Sequence, residues 1–229
     1  LEIQDSLGEQ LSNIDNSDEL LKELEQKEKE ALEVCKKKAS QLTATRKKAA
    51  KIVEEGMKKR LVPLGIPNVK FIIRIEEKEY MHDGCDRVSF MFSANTNSEL
   101  QPVSQVASGG EIARVMLSLK AMISSAVKLP TIIFDEIDTG VSGKIAEKMA
   151  VIMQEMAQSD RQVISITHLP QIAARGTNHY KVYKEETSTG TTSRMKQLSQ
   201  DERVDEIAQM LSGADVTEAA RHNAIELLK

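Results

Sequence analysis

The first part of the chain has the hydrophobic pattern of a long helix. Between Asp18 and Arg60 there is no proline, and a dense mixture of Glu and Lys surrounds apolar residues spaced as in a heptad repeat. A helix of that length, about 60 Å at the usual rise per residue, predicts one arm of a coiled coil. Because Glu28, Lys38 and Thr45 interrupt the apolar seam, a solvated surface helix is the alternative.

The pattern then changes to a period of two. After a segment punctuated by Pro63, Gly65 and Pro67, apolar residues alternate with mostly polar ones over 69–75, and a similar alternation follows over 88–92. The intervening Asp83-Gly84 is a turn signal, so these segments predict a β-hairpin. Periodicity predicts further elements in the order helix 111–127, strand 131–134, helix 143–157, strand 163–166, two short strands near Tyr180 and Arg194, and helices 201–211 and 217–228.

The strand–helix–strand order between Thr131 and Ile166 predicts a βαβ unit, whose two strands run parallel. Both strands are almost continuously apolar, which predicts a sheet buried on both faces. We therefore expect an α/β fold with a coiled-coil arm segment over residues 1–60 and one α/β domain over residues 61–229.

Composition and charge exclude several classes of protein. With 40% hydrophobic and 29% charged residues among 229, the chain is neither a disordered tail nor a membrane protein. A net charge of −4 argues against a wholly basic domain that coats nucleic acid, but a local basic patch remains compatible with it. Lysines 36–38 and residues 46–48 are interpreted as solvated arm surface, with DNA contact as the alternative. Cys35 and Cys85 form no disulfide framework, so a reducing compartment is expected.

Two carboxylates and an imidazole follow the predicted parallel strands. Asp135 and Glu136 end the first strand, and His168 follows the second. Neighbouring strands lie about 4.8 Å apart, and ligands bind at their carboxyl ends, so these side chains could address one ligand. An apolar strand that ends in Asp-Glu is the Walker B pattern of nucleotide hydrolases, in which Asp holds Mg²⁺ and Glu polarises water. The alternative is a strand that simply ends in a solvated acidic turn.

A second candidate site opens the amphipathic helix at Ser108-Gly109-Gly110-Glu111. Ser followed by Glu three residues later is a capping box, which would explain the segment without any ligand. Gly109 and Gly110 are harder to explain by capping, since glycine lowers helix propensity. They favour a helix N-terminus that an anion such as phosphate approaches closely.

The order of these motifs carries a family resemblance. The segments Ala107–Glu111, Phe134–Gly143 and Ile166–Ala173 correspond to a signature loop, a Walker B strand with D-loop, and a switch histidine, in that order. In these motifs the chain resembles the RecN family of bacterial DNA repair proteins, which belongs to the SMC-like, ABC-type ATPases. The resemblance extends from the arm to the end of the chain and implies the C-terminal lobe of an ABC-type ATPase head.

The resemblance also implies roles for individual residues. Asp135 would hold Mg²⁺, Glu136 would be the catalytic base, and His168 would contact the γ-phosphate of ATP. The signature residues Ser108, Gly109, Gly110 and Glu111 would meet an ATP molecule held by a second head, with Ser108 and Gly110 at its γ-phosphate. Asp138 would lie in the D-loop at the interface between the two heads.

One motif that ATP hydrolysis requires is missing from the sequence. No Gly-x-x-x-x-Gly-Lys-Ser/Thr occurs, and residues 140–145 imitate it with the wrong spacing and with Ile145 in place of Ser or Thr. We therefore expect a C-terminal portion of a longer protein, inactive alone, whose N-terminal lobe supplies the Walker A loop. Without that lobe, the strand 163–166 should have an unpaired or lightly covered edge.

The expected function is ATP-driven closure of two heads in DNA double-strand-break repair and recombination. The expected partners are DNA and a second head, with no membrane. The expected location is cytoplasmic and nucleoid-associated. The alternatives are a head fragment of another SMC-like or transporter-type ATPase, and a non-catalytic coiled-coil scaffold.

Overall fold

A computed structural model of the protein describes residues 2–106, 108–127, 129–141, 143–158, 161–187, 190–213 and 215–229. By its internal contacts the chain divides into two compact units. The first unit contains Leu1–Ile52 and Ile73–Ser89, and the second contains Val53–Ile72 and Phe90–Lys229. None of the helices described is both long and apolar enough to cross a bilayer.

The long helix predicted from the Glu/Lys-rich segment is confirmed. Helix α1 runs from Glu2 to Leu61 and ends in a basic turn, where cations interact favourably with the helix dipole. Apolar residues along its first half are exposed, among them Leu21 (57%), Leu24 (53%) and Leu32 (43%). Pairing of this helix in a coiled coil stays a prediction.

A β-hairpin, most of which belongs to the first unit, is anchored to α1 by a buried carboxylate. Strands β1 (Lys70–Met81) and β2 (Gly84–Ser93) belong to a sheet of order β1-β2-β3, with β3 at Gln101–Pro102. Asp86 on β2 is 5% exposed and accepts hydrogen bonds from Thr43 Oγ1 (2.8 Å) and Arg46 Nη1 (3.0 Å) on α1. The predicted hairpin is therefore present, and buried polar bonds fix it to the helix.

The second unit is built around the predicted βαβ motif. Strand β4 (Thr131–Asp135), helix α3 (Gly143–Gln158) and strand β5 (Gln162–Ile166) form it, and the strands pair in parallel from Thr131↔Gln162 to Asp135↔Ile166. Helix α2 (Gly109–Ala126) precedes them. Its buried Leu117 joins Ile132, Phe134 and the methionine-rich face of α3 in one apolar core. The parallel pairing predicted from the sequence is confirmed.

The prediction that both faces of this sheet are buried is wrong for this chain. Ile132 and Phe134 are buried, whereas Ile133 is 54% exposed, Ile164 40% and Ile166 52%. Helices α2 and α3 cover one face, and no element among the described residues covers the other. An apolar run indicates that a strand can be buried on both faces. It does not show whether the chain itself supplies the element that covers each face.

The end of the chain adds a helical layer and a ribbon. Helix α4 (Pro170–Ala174), which the sequence did not predict, is followed by the antiparallel strands β6 (Tyr180–Thr187) and β7 (Gly190–Gln197), predicted near Tyr180 and Arg194. Helices α5 (Gln200–Ser212) and α6 (Glu218–Leu228) then pack on α4 through a small core of alanines and Ile207. Arg203 links α5 to the loop after α4 by donating to the carbonyl oxygens of Ala174 (3.2 Å) and Gly176 (2.6 Å).

Candidate functional site

The acidic pair and the histidine are brought together by the register of β4 and β5. Asp135 is the last residue of β4 and pairs with Ile166, the last residue of β5. The Glu136 amide donates to the Ile166 carbonyl oxygen at 3.1 Å, and His168 follows two residues later. The side chains of Asp135, Glu136 and His168 are all exposed. The sheet therefore presents two carboxylates and an imidazole to solvent at one edge.

Glu136 has a strained backbone. Its φ of 46° lies in the left-handed region, which side chains larger than glycine rarely adopt. The turn that follows is held by Thr139 Oγ1, which donates to the Glu136 carbonyl oxygen at 3.0 Å, and by the Val141 amide, which donates to the Asp138 carbonyl oxygen at 3.2 Å. Such strain persists only where surrounding structure imposes it, and it concentrates at functional sites.

Asp138, predicted to lie in the D-loop at the interface between two heads, has a side chain that is only 1% exposed. Its Oδ2 accepts hydrogen bonds from the Thr167 hydroxyl and from the His168 amide (3.3 Å), and lies 3.4 Å from His168 Nδ1. The loop after β4 is thereby joined to the segment after β5. Whether the loop itself also meets a second head stays a prediction.

The signature segment begins α2 as predicted. Ser108 is the N-cap and its hydroxyl accepts from the Glu111 amide at 3.4 Å, which is half of a capping box. A Cβ at Gly110 would lie 3.2 Å from the Thr139 carbonyl oxygen, whereas a Cβ at Gly109 would meet no atom within 4 Å. The absence of a side chain at Gly110 is therefore explained by the close approach of the loop after β4, whereas Gly109 faces open space.

Arg114 is a residue near this site that the sequence reasoning missed. Its guanidinium lies close to Gly110, since Nη1 is 3.7 Å from the position that a Cβ there would occupy. Its Nε is buried and has no hydrogen-bond partner among the described residues. Burial lowers the pKa of Arg114, and the charge of Glu111 opposes that effect. A cation three residues after Glu111 on a mainly apolar helix was the available signal.

The donor set at the sheet edge fits a hard divalent cation. Mg²⁺ is usually held by one or two carboxylates together with water and phosphate oxygens, and the exposed Asp135 carboxylate is a suitable donor. Within the part of the chain that the structure describes, no three His, Cys, Asp or Glu residues form a group that could hold a metal ion. Any such ion would need further ligands from a bound nucleotide and water.

Comparison with known sequences finds relatives among DNA repair proteins named RecN. The chain is 34% identical over 233 residues to the DNA repair protein RecN of Halalkalibacterium halodurans, matching 100% of this chain and 41% of that protein. It is 46% identical over 146 residues to RecN of Bacillus subtilis, which covers 64% of this chain and 25% of that protein. The chain thus spans less than half the length of the relatives that it matches. No protein-family model matches it.

Comparison with solved structures finds SMC heads. The Smc head domain with a coiled coil and joint from Pyrococcus yayanosii matches with a TM-score of 0.57 and 19% identity, over 73% of this chain and 30% of that one. A structure from work on ATP-driven dimerization and DNA-stimulated activation of SMC ATPases matches with a TM-score of 0.52 and 16% identity, over 75% of this chain and 99% of that one. At such identities the likeness shows the fold, which is the predicted α/β fold of an ABC-type ATPase head.

Proposed function

The chain belongs to the RecN family of DNA repair proteins over the part of their length that it spans, and from this premise we propose that it is one lobe of an ATPase head that works in DNA double-strand-break repair and recombination. The lobe contributes the general base, the switch histidine and the signature segment. The full protein hydrolyses ATP and acts on chromosomal DNA in the cytoplasm.

The observation that carries this proposal is the register of the two parallel strands. Asp135 and Ile166, the last residues of β4 and β5, pair with each other, so both strands end at the same side of the sheet. Asp135 would be the protein's ligand to Mg²⁺, and the ion when bound would neutralise charge on the transferred phosphoryl group. Glu136 would accept a proton from the attacking water, and the strained backbone at φ 46° holds this carboxylate at the end of the strand. His168 would contact the γ-phosphate.

The signature segment is proposed to act on a second copy of the head. Ser108, Gly109, Gly110 and Glu111 would meet the nucleotide that the second head holds, so that two heads enclose two ATP molecules. The open space beside Gly109 supports this role, because a phosphate oxygen can approach a helix N-terminus only where no side chain covers the amides. ATP binding would then close the heads, and hydrolysis would release them.

A further portion of the same protein is proposed to complete this lobe. It would supply the phosphate loop that this sequence lacks, and it would cover the exposed apolar face formed by Ile133, Ile164 and Ile166. Strand β5 pairs only with β4 among the described strands. The backbone groups on its other side are therefore available to pair with a strand from that portion. The chain alone would then be inactive.

DNA is the proposed partner of the lysine-rich part of α1. Between Lys36 and Arg60 there are ten Lys or Arg residues and two Glu, although the whole chain has a net charge of −4. Five of these lysines (36, 37, 47, 48 and 51) fall within about 120° of the helix circumference at 100° per residue, and all are exposed. Such a basic face suits the phosphate backbone of a duplex.

The catalytic proposal is tested by Glu136→Gln in a RecN protein that carries this sequence together with a phosphate loop. Loss of a general base typically lowers turnover by about 10²–10⁴-fold, and ATP binding should be retained, because the amide has the shape of the carboxylate. The matched control is Glu186→Gln, which removes an exposed carboxylate on β6 and should leave turnover unchanged. Equal turnover in wild type and Glu136→Gln, measured by phosphate release, would remove Glu136 from its role.

A further inference from the structure

The carboxylate of Asp138 is the most deeply buried acidic group in the part of the chain that the structure describes. It lies in the loop after β4 and is 1% exposed, whereas Asp135 and Glu136, which precede it in the same loop region, are exposed. Burial of a carboxylate is unfavourable unless hydrogen bonds or cations compensate for the lost water. What compensates at this position therefore indicates what the residue does.

All the described partners of Asp138 belong to the segment that carries His168. The Thr167 hydroxyl and the His168 amide both donate to Oδ2, and His168 Nδ1 lies 3.4 Å from the same oxygen. The Thr167 oxygen in turn accepts from the Leu169 amide at 3.0 Å. One carboxylate oxygen thus holds the His168 amide directly and the Leu169 amide through the Thr167 hydroxyl.

The same arrangement distinguishes the two nitrogens of the His168 ring. The imidazole is exposed, with 65% of its side-chain surface accessible, so packing does not hold it. A buried carboxylate 3.4 Å from Nδ1 favours the proton on that nitrogen, and the position of the proton decides what the other ring nitrogen can do. In the neutral ring Nε2 then carries no proton, and it is the nitrogen that can accept a hydrogen bond from an external group such as the attacking water.

This geometry does not suit a direct contact between Asp138 and another molecule. A side chain that is 1% exposed and turned toward its own switch segment cannot reach a second head without breaking its hydrogen bonds to Thr167 and His168. The loop surface nearby is formed instead by Thr139 and Gly140, which are exposed.

We propose that Asp138 is a positioning residue, which holds the main chain and the Nδ1 side of His168 so that Nε2 faces the nucleotide. The catalytic part of this role rests on the function proposed above, whereas the hydrogen bonds and the tautomer of His168 can be tested without it. Thr167 takes part in the same positioning, because its hydroxyl donates to the Asp138 carboxylate and accepts from the Leu169 amide.

The first test is the ¹⁵N NMR spectrum of the histidine rings in this 229-residue chain. We expect Nδ1 of His168 to be protonated in the wild type, and Asp138→Asn to shift the ring toward the Nε2-protonated tautomer. In an Asp–His pair of another enzyme, Asn in place of Asp keeps the geometry, selects the wrong tautomer and costs about 10⁴-fold in rate. His222, on α6, serves as an internal reference whose signals should not change.

A matched pair at Thr167 keeps the test valid if Asp138→Asn fails to fold. Thr167→Val has nearly the same shape but no hydroxyl, whereas Thr167→Ser retains the hydroxyl. We expect Thr167→Val to make the amide protons of His168 and Leu169 exchange faster with solvent, and Thr167→Ser to restore wild-type exchange. Thermal unfolding of each variant establishes that the fold persists.

The second test measures ATP turnover in the full-length protein. Asp138→Asn should lower kcat by roughly 10²-fold, as expected for a misplaced catalytic group, with little change in KM. An unchanged His168 tautomer in a folded Asp138→Asn protein would overturn the proposal. So would a loss of head dimerisation in that variant with the tautomer unchanged, because Asp138 would then act across the interface. If Glu136→Gln retains full turnover while the tautomer still shifts, the ATPase proposal fails and the positioning of His168 by Asp138 stands.

Discussion

Gly109 and Gly110 are adjacent in the sequence, but their surroundings differ. The sequence predicted one reason for both, namely room for an anion at the start of α2. A Cβ at Gly110 would lie 3.2 Å from the Thr139 carbonyl oxygen and 3.6 Å from that of Gly140, whereas Gly109 has open space around it. The absence of a side chain at Gly110 therefore permits close packing within the chain, whereas the space beside Gly109 is open.

This difference predicts opposite effects of alanine at the two positions. Gly110→Ala should lower the free energy of unfolding by about 1 kcal/mol, because overpacking against a backbone carbonyl outweighs the gain in helix propensity. Gly109→Ala should raise it by up to about 1 kcal/mol, since alanine favours the helix and meets no neighbour. Urea denaturation of this chain measures both changes.

At Gly109, the effect expected on ATP turnover is opposite to the effect expected on stability. In the full-length protein, Gly109→Ala should reduce ATP turnover despite its greater stability, because its methyl group would occupy the space proposed for the phosphate. A stabilised Gly109→Ala protein with wild-type turnover would contradict the proposed role of Gly109. A Gly110→Ala protein as stable as the wild type would contradict the packing argument.

At the scale of elements, the hairpin β1–β2 depends on a charged group. Burial alone would raise the pKa of Asp86, but hydrogen bonds from Arg46 and Thr43 outweigh burial, and the pKa of this carboxyl lies below its ordinary value. A carboxylate with a lowered pKa in the folded state stabilises the fold above its unfolded pKa of about 3.9, and this contribution is lost as the pH falls through the folded value. The attachment of the hairpin to α1 is therefore pH-dependent.

We expect the wild-type chain to lose protection of the β2 amides from hydrogen exchange as the pH falls below about 4. Asp86→Asn should cost about 2 kcal/mol at neutral pH, the loss typical of hydrogen bonds to a charged group, and its remaining stability should change less with acidification. Asp83→Asn is the control, because that carboxylate lies in the exposed turn, and its pairing with Lys78 should contribute little. Equal acid sensitivity in Asp86→Asn and the wild type would assign the effect to other groups.

Periodicity was sufficient to predict most of the helices and strands. It did not reveal a very short helix or whether another layer covers a strand. The helices and most strands follow from apolar spacing, because that spacing directly reflects which face is buried. Helix α4 was missed because Pro170–Ala174 is too short for a periodic signal. The exposed face of β4 could not be predicted, since Ile133 looks the same in sequence whether or not another layer covers it.

The candidate site was predictable to a similar extent. The order of Asp135, Glu136 and His168 along two parallel strands was enough to predict that they meet at one edge. The burial of Asp138 was not predictable, because a single Asp in a loop has no periodicity that reveals its orientation. Arg114 was missed for the related reason that a cation on an amphipathic helix is usually solvated.

At the scale of the whole molecule, the charge of the chain is unevenly distributed. The net charge is −4, yet residues 36–60 carry ten basic and two acidic side chains. Residues 18–33 of the same helix carry seven acidic and three basic side chains. Because surface charges more than about 10 Å apart are largely screened at 0.1 M salt, DNA, the proposed partner, would respond to the local lysine face rather than to the net charge. A protein with an acidic total can therefore bind a polyanion at one segment.

The last prediction follows from this unevenness. Replacing Lys47, Lys48 and Lys51 by Gln should weaken DNA binding by the full-length protein and reduce the slope of log K against log salt by about 0.9 for each phosphate that the lysines no longer neutralise. The matched control replaces Lys22, Lys27 and Lys29 by Gln, which removes the same charge from the acidic segment and should leave the slope unchanged. Fluorescence anisotropy over a range of salt concentrations measures both slopes. Equal slopes for the two triple variants would mean that only net charge matters, and the lysine face of α1 would then not be the DNA-binding surface.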